Sequence, residues 1–404
     1  MPFSPSRRAQ AAESGLVARW WPARTALALL FVWAAATPAT LEQRGKASLP
    51  ARLSDAAFWR LSSELSEAPG YFRSENLVSN EHTFQFVIPD LLQRVPPGGV
   101  YLGVAPDQNF TYIAATRPRM AFIVDIRRGN LLTHLMYKAL FELSADRVDF
   151  ISRLFSKRRP PGLTASSTPA EIFTGFARVQ MSDQEYQSEY ARNLAEIRSH
   201  LTRRHGFDLG AEDLDQLQAI YFAFFWEGPG IRYTTAPSGI GGGRMYGVGT
   251  GNFPSFEELQ MQTDWDGHPR SYLATEELFR VVKNLQEKNL IVPVVGNFAG
   301  PKALKAVGQY IAERGGTVSA FYVSNVEQYL FMDLLFDRFA ANVAALPVTD
   351  SSVFIRSVSS RYGYNGPRTW SDGRATALDP IRGFVADFKA GRLRQYTDVN
   401  ARSR

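Results

Sequence analysis

The chain has 404 residues, 45% of them apolar and 21% charged, a globular composition with ample material for a buried core. It contains no cysteine, which excludes disulfides, a thiol nucleophile and cysteine-ligated metals. Its net charge of +6 sits mostly in residues 1–52, which carry +5, so the basicity marks a leader and no nucleic-acid partner is expected.

Residues 24–39, RTALALLFVWAAATPA, run from a basic stretch through an apolar segment into small residues. This is the pattern of a secretory signal with cleavage after Ala36 or Ala39, and the apolar run falls short of the roughly 20 residues of a membrane span. Residues 1–50 are therefore expected to be a leader plus linker. The body, 51–404, is expected to be exported or periplasmic, with membrane contact only through an uncleaved leader. A mis-assigned start would instead leave it cytoplasmic.

The first strand signal is GGVYLGVA, 98–105, after a Pro-Pro-Gly-Gly turn, and the second is MAFIVDIRR, 120–128. Both are continuous apolar runs, as expected of strands buried on both faces of a parallel sheet. The segment between them is long enough for a crossover helix, and 130–155 has the apolar spacing of one long helix. From 156 to 289 the strand pattern stops. Thr168–Glu171 and Ser182–Glu185 are capping boxes that open helices, another helix is expected over 212–226, and 236–254 packs seven glycines into a loop. This region is expected to be a helical insertion with a flexible loop over the crevice. Strand–helix alternation then returns: strands over 289–298, 317–325 and 351–359, with helices over 301–316 and 326–346. The pattern predicts an α/β fold with a doubly wound, mainly parallel sheet, whose ligands sit at the carboxyl ends of the strands where the strand order reverses.

Four strand ends carry candidate chemistry. Gly103 to Asn109, with Asp107 and Gln108 between, is either a cofactor loop or a simple turn, since a dinucleotide fingerprint needs three spaced glycines and this loop has one. Asp125 stands where a carboxylate accepts ribose hydroxyls, or else pairs with Arg127 or Arg128. Asn297, in GNFAG, either meets an adenine edge or closes a tight turn. Asn325 and Glu327, in SNVEQY, are candidates for a general base and a substrate-orienting group, or cap the following helix. The five histidines show no metal-binding spacing, so no metal is expected. No nucleophile elbow or phosphate-binding loop motif is present.

Taken together, GYFRSENLVSNE (70–81), GVYLGVAPDQNFTYIA, AFIVDIRRGNLLTHLMYKALF and FYVSNVEQYL resemble a family of uncharacterised bacterial proteins. That family carries a Rossmann-like domain of the class I S-adenosylmethionine-dependent methyltransferase type. The resemblance implies S-adenosylmethionine as cofactor, with 103–109 at its methionine side, Asp125 at its ribose and Asn297 at its adenine. It also implies that Asn80 and Glu81 reach the cofactor and that Asn325 and Glu327 hold the catalytic position. The chain departs from the usual pattern in lacking the three-glycine loop and the Asn/Asp-Pro-Pro-aromatic motif. Two functions stay open: a methyltransferase-like protein binding S-adenosylmethionine or a similar nucleoside, and an exported, non-enzymatic binding protein on the same fold. A hydrolase built on Asp107, Asp125 and Glu327 has no motif behind it.

Overall fold

Every residue of the strands Val100–Gly103 (β1), Met120–Asp125 (β2) and Ile291–Val295 (β3) is buried, as their unbroken apolar sequences require. In the computed structural model, which describes residues 48–233 and 253–404, they join Val318–Ser324 (β4), Val348–Ser359 (β5) and Arg374–Pro380 (β6) in one sheet. The leader and nearly all of the glycine-rich segment 236–254 lie outside the described residues. The strand order is β3-β2-β1-β4-β5-β6, and the first five strands are parallel. β1 stands at the centre, with Leu102 opposite Phe122 on one side and Phe321 on the other. Successive crossovers leave β1 toward β2 and β3, then return to its other side, so the strand order reverses between β1 and β4. The fold is thus α/β with a Rossmann-like order of strands.

Three features differ from the expectations drawn from the sequence. β6 pairs antiparallel with β5 at the sheet edge, and its sequence RATALDP has neither a long apolar run nor clean alternation. The long helix expected over 130–155 is two, Arg128–Leu143 and Arg147–Phe155. Asp146 accepts the Asp149 amide as an N-cap, and Ser144 Oγ turns back to the Leu140 carbonyl, so polar side chains break a helix whose apolar spacing runs on. The helix expected over 326–346 is likewise two, Val326–Met332 and Phe336–Ala344. Leu334 lies between them in the left-handed region at φ 57°, and the Leu335 amide closes onto the Leu330 carbonyl.

Within 156–289 the capping boxes at Thr168 and Ser182 form as read, and the region adds no strand to the sheet among the described residues. Its last helix, Glu276–Glu287, leads directly into β3 and so completes the β2–β3 crossover. No helix among the described residues is long and apolar enough to cross a membrane.

Glu327 is held away from chemistry by this architecture. Its carboxylate takes both Arg356 Nε (2.6 Å) and Nη2 (2.9 Å), while Arg356 Nη1 reaches Asp379 of β6 at 2.6 Å. Arg402 completes the group on the far side of Asp379. The three central side chains are about 1% exposed, so this network ties the helix after β4 to β5 and to the antiparallel edge strand. Burial raises the Glu327 pKa, and the Arg356 guanidinium opposes that rise. The catalytic role expected for Glu327 gives way to a structural one, because its carboxylate is fully buried and paired with Arg356. Removing Glu327 leaves Arg356 with Asp379 as counter-charge but with two buried N–H groups unbonded, at a cost of about 1–3 kcal/mol. Glu327→Leu should therefore lower unfolding stability by about that amount in urea titrations; a loss under about 1 kcal/mol would contradict this role.

Candidate functional site

At the carboxyl ends of β1 to β4, around the point where the strand order reverses, lies a cleft of about 160 Å³. Its walls come from Ala105 and Pro106 after β1, Asp125 and Arg127 at the end of β2, Asn297 and Phe298 after β3, and Ser324 and Asn325 after β4. The segment 71–81 crosses the sheet end and supplies Asn76, Asn80 and Glu81. Asn76, Ala105 and Ser324 all adopt positive φ without being glycine (48°, 63° and 52°). Backbone held in this region costs about 1–3 kcal/mol per residue and persists where surrounding structure enforces it, commonly at functional sites.

Glu81 forms the floor. Its Oε1 accepts hydrogen bonds from Tyr322 Oη (2.8 Å) and Ser324 Oγ (2.6 Å), and Oε2 accepts one from Gln108 Nε2 (3.1 Å). Burial nevertheless dominates and raises its pKa, the three donors and the positive charge of Arg374 offsetting only part. A carboxylate tuned upward and held by three donors at a cleft floor is equipped to exchange a proton or to meet a cationic ligand group. Tyr322 and Ser324 are hidden in the sequence because they lie in a strand buried on both faces, where they look like ordinary strand residues. The polar pair Ser324-Asn325 ending an apolar strand was the available signal.

Asp125 lines the cleft, but Arg127 grips it: the Arg127 amide and Nε reach Oδ1 at 2.9 and 3.1 Å, and Nη2 reaches Oδ2 at 3.1 Å. An ionised carboxylate offers about four acceptor positions. Three are filled, which leaves one for a ligand hydroxyl. Asn297 Oδ1 accepts the Ala299 amide at 2.8 Å, so the tight-turn role holds while the residue still borders the cleft. Asn80 borders it, and the buried Asn76 Oδ1 has no hydrogen-bond partner among the described residues. Asn325 lies at the mouth, and its side chain does not cap the helix it precedes.

Three expected ligand contacts lie elsewhere. Asn109 is fully buried: its Oδ1 accepts from Tyr101 Oη at 2.8 Å, and its Nδ2 donates to the Val104 and Pro106 carbonyls at 2.8 and 2.7 Å. It clamps the turn after β1 from beneath. Gly103 serves that clamp and not a ligand, since a Cβ there would lie 1.9 Å from Asn109 Oδ1. His134, kept neutral by a pKa lowered by burial to about 4, donates from Nε2 to the Ala105 carbonyl at 2.8 Å. Asp107 turns the other way, into a buried pocket where Tyr272 Oη (3.2 Å) and Gln260 Nε2 (3.0 Å) both donate to Oδ2. Of the expected residues, the cleft thus gathers Asn80, Glu81, Gln108, Asp125, Asn297 and Asn325, and leaves out Gly103, Asp107, Asn109 and Glu327.

A family model described as a domain of unknown function, DUF7790, matches residues 76–204 and 245–386, and so includes all six strands and most of the cleft. No curated protein matches the chain.

Burial lifts the pKa of Asp107 to about 7, the bonds from Tyr272 and Gln260 opposing it. A raised carboxyl pKa stabilises the fold below the unfolded value near 4, and that contribution is lost as pH rises toward 7. Asp107→Asn, which has no proton to lose, should therefore gain stability relative to the parent between pH 4 and pH 8, by at most about 4 kcal/mol. Denaturant titrations at the two pH values measure it. Parallel stability at both would show that Asp107 ionises without penalty.

Proposed function

This chain belongs to the DUF7790 family, and on that footing we propose that its cleft binds S-adenosylmethionine or a similar nucleoside, with methyl transfer to an acceptor beside Glu81 as the chemistry. The observation that carries the reading is the convergence of four strand ends at the reversal point, with an acid, Asp125, closing β2. In this reading the single open acceptor position of Asp125 takes a ribose hydroxyl. Asn297 and Phe298 border the base, and Asn80 and Gln108 flank the amino-acid half. Glu81 lies where a sulfonium would meet a negative charge, and Asn325 stands at the mouth where an acceptor enters. Methyl transfer asks mainly for alignment of nucleophile and methyl, with a base where the nucleophile carries a proton. Glu81 fills that role in place of Glu327.

The methyltransferase type of the fold is part of this proposal. It draws support from the strand order and from an antiparallel last strand at the sheet edge, which leaves the carboxyl ends of β1 to β4 free for a ligand. Export of the body is proposed on the leader sequence alone, and the non-enzymatic reading follows if the protein works where no S-adenosylmethionine is made.

Calorimetric titration with S-adenosylmethionine and S-adenosylhomocysteine tests the proposal. Asp125→Ala removes one charge-assisted hydrogen bond, about 1.5–3 kcal/mol, and should weaken both ligands at least tenfold, about 1.4 kcal/mol being one decade. Because a sulfonium favours ionised Glu81, S-adenosylmethionine should tighten relative to the neutral thioether as pH rises through the raised Glu81 pKa. Glu81→Gln should erase that difference. Folded protein that binds neither ligand at high micromolar concentration would end the proposal.

A further inference from the structure

Outside the cleft, three side chains from two elements meet. Glu142, near the end of the helix Arg128–Leu143, points its Oε2 at the Nε2 atoms of both His200 and His205, each 2.6 Å away. All three ligand-type atoms lie within 4.8 Å of one another. We propose that Glu142, His200 and His205 form a binding site for a divalent transition-metal ion of the zinc class.

The backbone is shaped to bring the histidines together. Residues five apart in an α-helix, at 3.6 per turn, point about 140° away from each other. The segment His200–Arg204 is instead a π-helical turn, closed by the His205 amide on the His200 carbonyl at 3.0 Å. That wider turn brings positions five apart back over one another, and the two rings stand 4.8 Å apart at 83°. Single π turns in otherwise α-helical segments occur often at functional sites.

The donor set and its surroundings fit a metal. Two histidines and one glutamate, with a fourth position left for water or another ligand, is a recurrent zinc arrangement. Bonds of about 2.0–2.1 Å in a tetrahedral site put neighbouring ligand atoms about 3.3 Å apart. Each 2.6 Å contact therefore opens by less than 1 Å on binding. The outer contacts are also in place. His205 Nδ1 lies 2.7 Å from Asp55 Oδ1, the carboxylate–histidine pairing that fixes the ring and aims Nε2 at a metal. Asp55 is itself held by Asn289 Nδ2 at 2.9 Å. Lys138 Nζ takes the other Glu142 oxygen, Oε1, at 2.5 Å, which orients Oε2 toward the histidines. Glu142 and His205 are more than nine-tenths buried, while His200 is 17% exposed and borders a surface groove with Arg192, Arg203 and Arg204. An ion thus has a route in.

The ligands were illegible in the sequence because a five-residue histidine spacing is wrong for an α-helix and Glu142 lies 58 residues before His200.

The experiment titrates zinc chloride into the untagged, chelator-treated full chain by calorimetry. The expected result is one zinc per chain, with affinity at least 100-fold weaker in His200→Gln. Asp55→Asn should weaken it about 10–100-fold, the usual effect of losing an outer-shell partner. Cobalt(II) added to the unaltered protein needs no variant and should give the visible absorption of a four- or five-coordinate site. Zinc heats absent from folded protein, a cobalt spectrum of the hydrated ion alone, or affinity unchanged in both variants would each overturn the proposal.

Discussion

The turn after β1 depends on one buried amide. Asn109 reaches back to the carbonyls of Val104 and Pro106 while accepting from Tyr101, and in doing so sets Ala105 in the left-handed region. A glycine-rich loop solves the same problem by conformational freedom, at the entropic cost glycine carries. Here side-chain hydrogen bonds impose the conformation instead, and Gly103 is needed so that Asn109 fits. With the turn fixed, Gln108 emerges on the cleft side and Asp107 on the opposite side, so a single clamp sorts three consecutive polar residues into three environments. The cleft wall at β1 exists because that amide is satisfied inside.

Three buried carboxylates show how environment, more than residue type, assigns roles. Glu327 is neutralised by a guanidinium and becomes a structural tie. Asp107, with only neutral donors, is held near the point of protonation at neutral pH. Glu81 also has only neutral donors in contact, but it borders the cleft, and the raised pKa there can serve a ligand. Asp125 differs again, since Arg127 keeps it paired while leaving one acceptor position free. Each burial costs free energy, and in the first three cases the chain offsets it differently.

Much of the fold was legible because β1 to β4 are short apolar runs bounded by turn residues, a signal set by burial on both faces. β6 was not, because polar Thr376 and Asp379 interrupt its buried stretch, and its place is fixed by pairing with β5 and by Asp379 meeting Arg356. The helix breaks at Ser144 and Leu334 were hidden for a related reason: apolar periodicity reports the buried face and is blind to a cap or a single left-handed residue. For the site, position along the chain located the strand ends, which gave Asp125, Asn297 and Asn325. It could not say which way a side chain turns, and direction separates Gln108 from Asp107 and Asn109. Asn80 and Glu81 came from resemblance, and the Glu81 partners Tyr322 and Ser324 are brought to it only by the placing of β4 beside β1.

The functional proposal rests on a nucleoside binding in the cleft over β1 to β4. A crystal structure of the chain grown with S-adenosylhomocysteine tests it most directly. The expected result is ligand density with a ribose hydroxyl on the free Asp125 position, the base beside Asn297 and Phe298, and the Asn109 clamp unmoved. An empty cleft at millimolar ligand, or density at another surface, would contradict it.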